Sequence, residues 1–434
     1  MSKLERYSSY KESGVEWLGE IPEGWEVQKI KYLFKENSIK NHSEETPLAA
    51  TQLYGVVPKV SLNFRTVEAN ISDLNIFKLV QENNFVISLR SFEGGIEYSE
   101  HRGIISPAYT VMETIENIDY IYYKYLFKSN IFIQALNIYK TGIREGQNIS
   151  FSKLRDDILP FPPKQEQIKI ASYLDTKTEQ LDKAIKQKEQ LIALLKERRQ
   201  ILINDAVTKG IDKTVAMKDS GVEWIGEIPE HWEVKKLKYV VKSKLKYGAN
   251  ESGIEYDESL PRYVRITDFS DSGKLSEKNK LSLTWETGKE YLLKDGDILF
   301  ARSGATVGKT YQFKKSMSSE KFYSFAGYLI KAESNEEIVF SDYVYLYTNS
   351  DLFASWKQHI FNKATIENIG ADKYSELFIT IPSIKEQEKI LNEFNIDGTK
   401  IDKAIDLQQQ QITKLKEYKT TLIDSVVTGK VRVA

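Results

Sequence analysis

Two short stretches carry side chains suited to recognition chemistry. Phe85–Gly95 (FVISLRSFEGG) and Asp297–Gly308 (DILFARSGATVG) each run as an apolar strand into Arg-Ser and then a glycine-containing turn. Arg90-Ser91 and Arg302-Ser303 therefore stand at strand ends. IREGQNIS at 143–150 and TIENIGAD at 365–372 match in the same way and set Asn148 against Asn368. With Arg144, Arg265 and Lys309 these are residues that could read DNA. Arginine forks onto guanine, asparagine onto adenine, and lysine reaches phosphate. The same types are ordinary at turns and strand ends, so chemistry alone leaves both readings open.

Catalytic signals fail. GATVGKT at 304–310 is one residue short of a phosphate loop, because Ser303 stands where the first glycine belongs. TYQF then continues as a strand rather than as a helix whose N-terminus could hold phosphate. Gly304 and Gly308 read better as a tight turn. Pro160–Pro163 (PFPP) lacks the Asn or Asp that would bond a flipped adenine, and no glycine-rich cofactor loop accompanies it. Glu417-Tyr418-Lys419 fits a nuclease E-x-K, but it sits in a heptad helix with no aspartate suitably before it. The four histidines (His42, His101, His231, His359) show no metal-ligand spacing, and there is no cysteine. No catalytic, cofactor-binding or metal residue is expected.

The elements that must position these loops are written twice. Ser13–Tyr32 and Ser220–Tyr239 agree at sixteen of twenty positions, at an offset of 207. PPKQEQIKI from Pro162 and PSIKEQEKI from Pro382 agree at an offset of 220, as do the two DKAI segments from Asp182 and Asp402. The halves are thus alike at their edges, while their middles, about 20–159 and 227–380, differ. Both middles hold short β-type runs between turns, with a helical stretch at 120–136 in the first, so each reads as an α+β globule.

Each half closes on a helix of about 40 residues, roughly 60 Å long. Leu174, Leu181, Ile185, Ile192, Leu195 and Leu202 fall on a 3-4 alternation, with Thr178, Lys188 and Arg199 at its polar points. Phe394, Ile401, Ile405, Ile412, Leu415 and Leu422 repeat it, with Gly398, Gln408 and Lys419 interrupting. That is a coiled-coil seam, and a pseudo-two-fold axis would make the pair antiparallel. The alternative is two amphipathic helices, each packed on its own domain. Asp397-Gly398 could break the second helix near its start.

Bulk composition sets the limits. At ~100–200 residues per domain, 434 residues make two to four domains. A hydrophobic fraction of 41% supplies real cores. The absence of cysteine fits a reducing, cytoplasmic setting. No secretory leader and no membrane span are expected. A formal charge of −1 argues mildly against nucleic acid, although Lys235–Lys246 holds six lysines and no acid.

YKESGVEWLGEIPEGWEV and MKDSGVEWIGEIPEHWEV resemble the segments that open each half of the specificity subunit of type I restriction-modification enzymes. The Pro163/Gln167/Ile170 and Ser383/Gln387/Ile390 spacings before each DKAI helix are similar to that family's spacers, and GDILFARSGATVGK and FVISLRSFEGGIEYS to its target-recognition strands. The resemblance implies an α+β fold with two tandem α/β target-recognition domains, separated by two long antiparallel helices in a pseudo-two-fold coiled coil. Domains would fall at 1–160, 161–212, 213–381 and 382–434. It further implies double-stranded DNA as ligand, each insert reading one half of a split target and the helices setting the spacer. Two modification subunits would dock on the repeated edges, alongside restriction/translocase subunits. S-adenosylmethionine, ATP and Mg would belong to those partners and no cofactor to this chain. The competing reading is a non-enzymatic coiled-coil scaffold whose inserts bind proteins.

Overall fold

The computed structural model describes residues 5–62, 74–89, 91–136, 140–141, 148–149, 151–270, 273–304, 306–361 and 368–433. Two compact units emerge, and each takes part of both long helices. Unit 1 comprises 1–189 and 409–434, and unit 2 comprises 190–408.

The first insert is built on β1 (Glu26–Lys29), β2 (Phe34–Asn37), β3 (Phe85–Ile87), β4 (Glu97–Tyr98) and β5 (Thr110–Thr114). Then come α1 (Tyr120–Lys128), α2 (Asn130–Leu136) and β6 (Ile158–Phe161). Its main sheet is antiparallel in the order β2-β5-β3-β4. β6 returns to pair with β1, so the insert leaves and rejoins the frame at one place. The helical stretch expected at 120–136 is two helices. Ser129 is buried between them, donating to the Leu126 carbonyl at 2.6 Å and accepting from the Phe132 amide at 3.3 Å. A serine that bonds backbone on both sides ends one helix and caps the next. The long α3 (Lys164–Thr208) follows.

The second insert repeats the plan. β7 (Glu233–Lys236), β8 (Lys246–Tyr247), β9 (Arg262–Val264), β10 (Ile298–Ala301), β11 (Thr310–Gln312), β12 (Tyr323–Phe325) and β13 (Leu329–Ala332) lead to α4 (Ser341–Thr348) and α5 (Asp351–Phe361). Strand β14 (Phe378–Ile381) and the long α6 (Ile384–Val427) close the chain. The main sheet runs β8-β13-β10-β11, again antiparallel, and β14 pairs with β7 as β6 does with β1. Buried Ser350 breaks α4 from α5 as Ser129 breaks α1 from α2. What the second insert adds is another sheet, in which β9 runs parallel to β12.

Both long helices are continuous. α6 runs straight through Gly398, correcting the expected break. The glycine there is buried, and a Cβ added to it would come within ordinary contact distance of the Phe394 ring, so packing holds a position that propensity alone disfavours. The helices end at Gly210 (φ 64°) and Gly429 (φ 74°), where a left-handed residue lets the chain turn back on the last carbonyls. Their starts are tied by buried amides. Gln167 accepts from the Asp119 amide and donates to the Pro162 carbonyl, both at 2.8 Å. Gln387 does the same with Phe340 at 2.9 Å and Pro382 at 3.0 Å.

The seam residues are buried or half-buried as the alternation requires. In unit 1, Leu174, Leu181 and Leu422 share a core with Trp25, Phe34 and Tyr122. There Lys419 bonds Asp182 at 2.7 Å, and Lys188 reaches Gln411. One index rises while the other falls, so this stretch of the pair is antiparallel. In unit 2, Arg199 bonds Asp402 at 2.9 Å, while Ile203 and Val207 pack with Ile390 and Trp232. The Asp182–Lys419 and Asp402–Arg199 bridges are one another's counterparts at the 220 offset. The polar seam positions thus fix register, and of Glu417-Tyr418-Lys419 the lysine belongs to that seam while the other two are exposed.

The inserts dock crosswise. In unit 1 the Asp424 carboxylate of α6 caps the first amide of α2 at 2.8 Å, and Tyr122 donates to the Val427 carbonyl at 2.8 Å. In unit 2 Asn204 of α3 accepts from the Asp351 amide at 2.9 Å, and Thr380 donates to the Val207 carbonyl at 2.7 Å. Each insert therefore rests on the C-terminal end of the other half's long helix.

Candidate nucleic-acid interface

The turn between β10 and β11 gathers most of the candidates in unit 2. Strand β10 is buried throughout, so its apolar run delivers Arg302 to the sheet edge at a fixed height. The Ala301 amide meets the Lys309 carbonyl at 2.8 Å and the Gly308 amide meets the Ala301 carbonyl at 3.0 Å, closing a hairpin. Gly304 (φ 84°) and Gly308 (φ 79°) supply its left-handed positions, and Thr310 opens a strand. The described residues of GATVGKT, 304 and 306–310, thus belong to a hairpin.

Arg302 is clamped at its backbone. Its amide donates to Tyr328 and its carbonyl accepts from Ile369, both at 2.9 Å. Ser303 and Asn368 form an isolated antiparallel bridge, so the two matched loops of the sequence meet here. The Arg302 guanidinium lies over the Tyr247 ring, 5.2 Å from its centroid. Lys309, at the far end of the turn, donates to the Phe269 carbonyl at 3.3 Å. Phe269 in turn stacks on Tyr311, with centroids 4.9 Å apart.

Other candidates are placed differently. Arg265 bonds Asp268 at 3.0 Å and the Asn279 carbonyl at 2.8 Å, which caps the short helical turn Ile266–Asp268. Ser91 is not exposed as a DNA contact would require: it is buried, and its hydroxyl accepts from the Ser88 amide at 2.8 Å, so it builds a turn. Arg90 and Arg144 lie outside the described residues, and Asn148 is placed by backbone alone, in the two-residue strand Asn148–Ile149. The lysine run is largely neutralised within unit 2. Lys235 pairs with Glu233, Lys236 and Lys238 with Glu376, and Lys242 with Glu333, while Lys246 donates to the Glu290 carbonyl. Those partners make the run a solvated, paired face rather than a free phosphate-binding one. His42 and Glu44 stand 3.3 Å apart beside Glu45, as near neighbours in the chain can. Glu45 is held by Arg102 at 2.7 Å.

Sequence reasoning missed Tyr247 and Tyr328, both exposed beside Arg302. Each adjoins a glycine (Gly248, Gly327) where the backbones of 248–249 and 325–327 approach closely, and that tyrosine-glycine pairing was the available signal. In unit 1, Leu53 and Tyr54 at the tip of the Leu48–Thr51/Gly55–Pro58 hairpin are likewise exposed.

Comparison with known proteins follows the same lines. Residues 229–417 match the type I restriction modification DNA specificity domain. The specificity subunit of the type I restriction enzyme MjaVIII of Methanocaldococcus jannaschii is 23% identical, over 95% of this chain and 94% of its own length. A chain from a type I R-M system, solved in a study of complex assembly and conformational transition, superposes with a TM-score of 0.68. It is 14% identical, with 94% of this chain and 98% of that one covered. The HsdS subunit of Thermoanaerobacter tengcongensis gives a TM-score of 0.54 at 13% identity, covering 95% and 98%. No helix among the described residues is long and apolar enough to cross a membrane. The matched domain, the relative covered along nearly its whole length and the shared fold together make this chain similar to the specificity subunits of type I restriction-modification enzymes.

Proposed function

We propose that this chain is the DNA-reading subunit of a type I restriction-modification assembly. Each insert reads one half of a split target, and the paired helices set the unspecified spacer. The repeated edges Ser13–Tyr32 and Ser220–Tyr239 dock two adenine-N6 modification subunits. Chemistry resides on the partners, which hold S-adenosylmethionine and, with a restriction subunit, ATP and Mg, and this chain contributes no catalytic group. One observation carries the reading. A frame written twice holds two inserts with the same sheet order and closing strand pair but different loops. Identical edges suit identical partners, and divergent loops suit different bases. A protein-binding scaffold would explain the frame but not that contrast, and the similarity to known proteins lends it no support.

The test is a genome-wide map of N6-methyladenine in cells carrying this gene with its neighbours, against a deletion of this gene alone. A bipartite motif present only with the gene is expected. Identical maps from an expressed gene would overturn the proposal.

A further inference from the structure

We infer that Arg302 is a base-reading residue, contacting the edge of a guanine in the half-site read by unit 2, with Tyr247 as its positioning residue. The inference rests on the DNA-reading function proposed above. Four features of the cluster lead to it. The Arg302 backbone is fixed on both sides, through Tyr328 and Ile369 at 2.9 Å each. Its guanidinium is stacked over Tyr247 at 5.2 Å, and that ring is itself anchored, its hydroxyl accepting from the Ala371 amide at 2.9 Å. Arg102, Arg199, Arg262 and Arg265 each have a carboxylate partner, whereas Arg302 has none among the described residues. Its Nε is buried without a hydrogen bond there, which leaves the two terminal amino groups as the outward fork. Among the described residues the surroundings are uncovered: Tyr328 is 65% exposed, and apart from its chain neighbours none of them lies within 4 Å of where a Cβ on Gly304 would be.

A half-buried cation held rigidly without a counter-charge is poised for an acceptor supplied from outside. A phosphate needs only charge, which a mobile lysine provides. A stacked, planar fork matches the paired O6 and N7 acceptors of guanine.

The experiment maps N6-methyladenine in cells carrying the neighbouring genes with wild type, Arg302→Ala, Arg302→Lys, Tyr247→Phe or Tyr247→Leu. With Arg302→Ala, one guanine position of one half-site is expected to relax, its discrimination falling roughly 5- to 150-fold, while the other half-site is unchanged. Tyr247→Leu should relax the same position and Tyr247→Phe should preserve it. A uniform fall in methylation with the motif intact would mean a phosphate contact and overturn the assignment, as would an unchanged map. If Arg302→Ala abolishes methylation, Arg302→Lys decides: a relaxed guanine supports the assignment and an intact motif overturns it. Absence of any bipartite motif with wild type would instead strike the functional proposal itself.

Discussion

At the scale of single residues, Glu97 shows how burial and pairing compete. It is 1% exposed, yet both its carboxylate oxygens accept from Lys128 at 2.8 Å. Lys128 also donates to the Gly94 carbonyl at 2.7 Å and the Gln52 carbonyl at 3.1 Å, tying the hairpin, the Ser91–Gly94 turn and β4 together. Burial pushes the Glu97 carboxyl from its usual 4.5 up to about 7, with Lys128 pulling it back only in part. The native state therefore keeps a proton that the unfolded chain releases between those values. Its contribution to stability is present at low pH, falls as pH rises from about 4.5 to 7, and is level above that. The full span is about 3 kcal/mol. Urea unfolding of wild type and Glu97→Gln at pH 5 and pH 8 should show the wild type losing stability relative to the variant across this window. A difference that is flat, or of opposite sign, would mean that the Lys128 pairing dominates. The residue scale also marks the reach of sequence. Arg302 and Asn368 were legible as strand-end chemistry. Tyr247, which orients Arg302, was not, because its one local signal, the adjoining Gly248, marks a close backbone approach and says nothing of a cation-π partner on a distant strand. Ser91 was ambiguous for a related reason: a serine that builds a turn and one that faces a ligand occupy the same motif.

Among the elements, the long helices were the most legible, since a seam that repeats its polar interruptions at one offset is hard to produce without two helices facing each other. Their crosswise capping was not legible. Asp424 and Asn204 cap helices of the opposite half, and nothing local says which helix a polar residue will meet. Gly398 misled in another way. Its propensity cost is real, about 1 kcal/mol relative to alanine, but α6 gains more from burying the flanking Phe394 and Ile401 than it loses there. The nearest atoms an alanine Cβ would meet are those of the Phe394 ring, at 3.5–3.8 Å, which is ordinary contact. The backbone is already helical, so no strain is added. Gly398→Ala should therefore stabilise unit 2 by about 1 kcal/mol, read as a higher unfolding midpoint at unchanged slope. A destabilised variant would show that the Phe394 packing has no room for a methyl group. The bridges on the same helices matter less to stability. Asp182, Asp402 and Arg199 are substantially exposed, and such pairs contribute ~0–1 kcal/mol, so their role is register rather than strength.

For the whole molecule, the informative fact is where the two units divide. The boundary cuts both long helices, at 189/190 in α3 and 408/409 in α6, and no strand of either insert. Each insert also leaves and rejoins its frame through one closing strand pair, β1–β6 or β7–β14. Half-site reading and spacer length should therefore be separable properties of one chain. Adding one heptad to each helix at these crossings preserves the 3-4 alternation and every cap and core described above. It adds about 10.5 Å of helix, at 1.5 Å per residue. On B-DNA, at about 3.4 Å per base pair, that is close to three base pairs. The expected methylation motif keeps both half-sites and gains about three unspecified bases between them. Seven residues added to only one helix would put the seam out of register, so that the Lys188–Gln411 and Arg199–Asp402 pairs could not both be kept, and should lower stability without giving a clean new motif. A doubled insertion that leaves the spacer unchanged would mean that the partners, not these helices, measure the distance. An altered half-site would mean that the inserts sense the helices on which they rest.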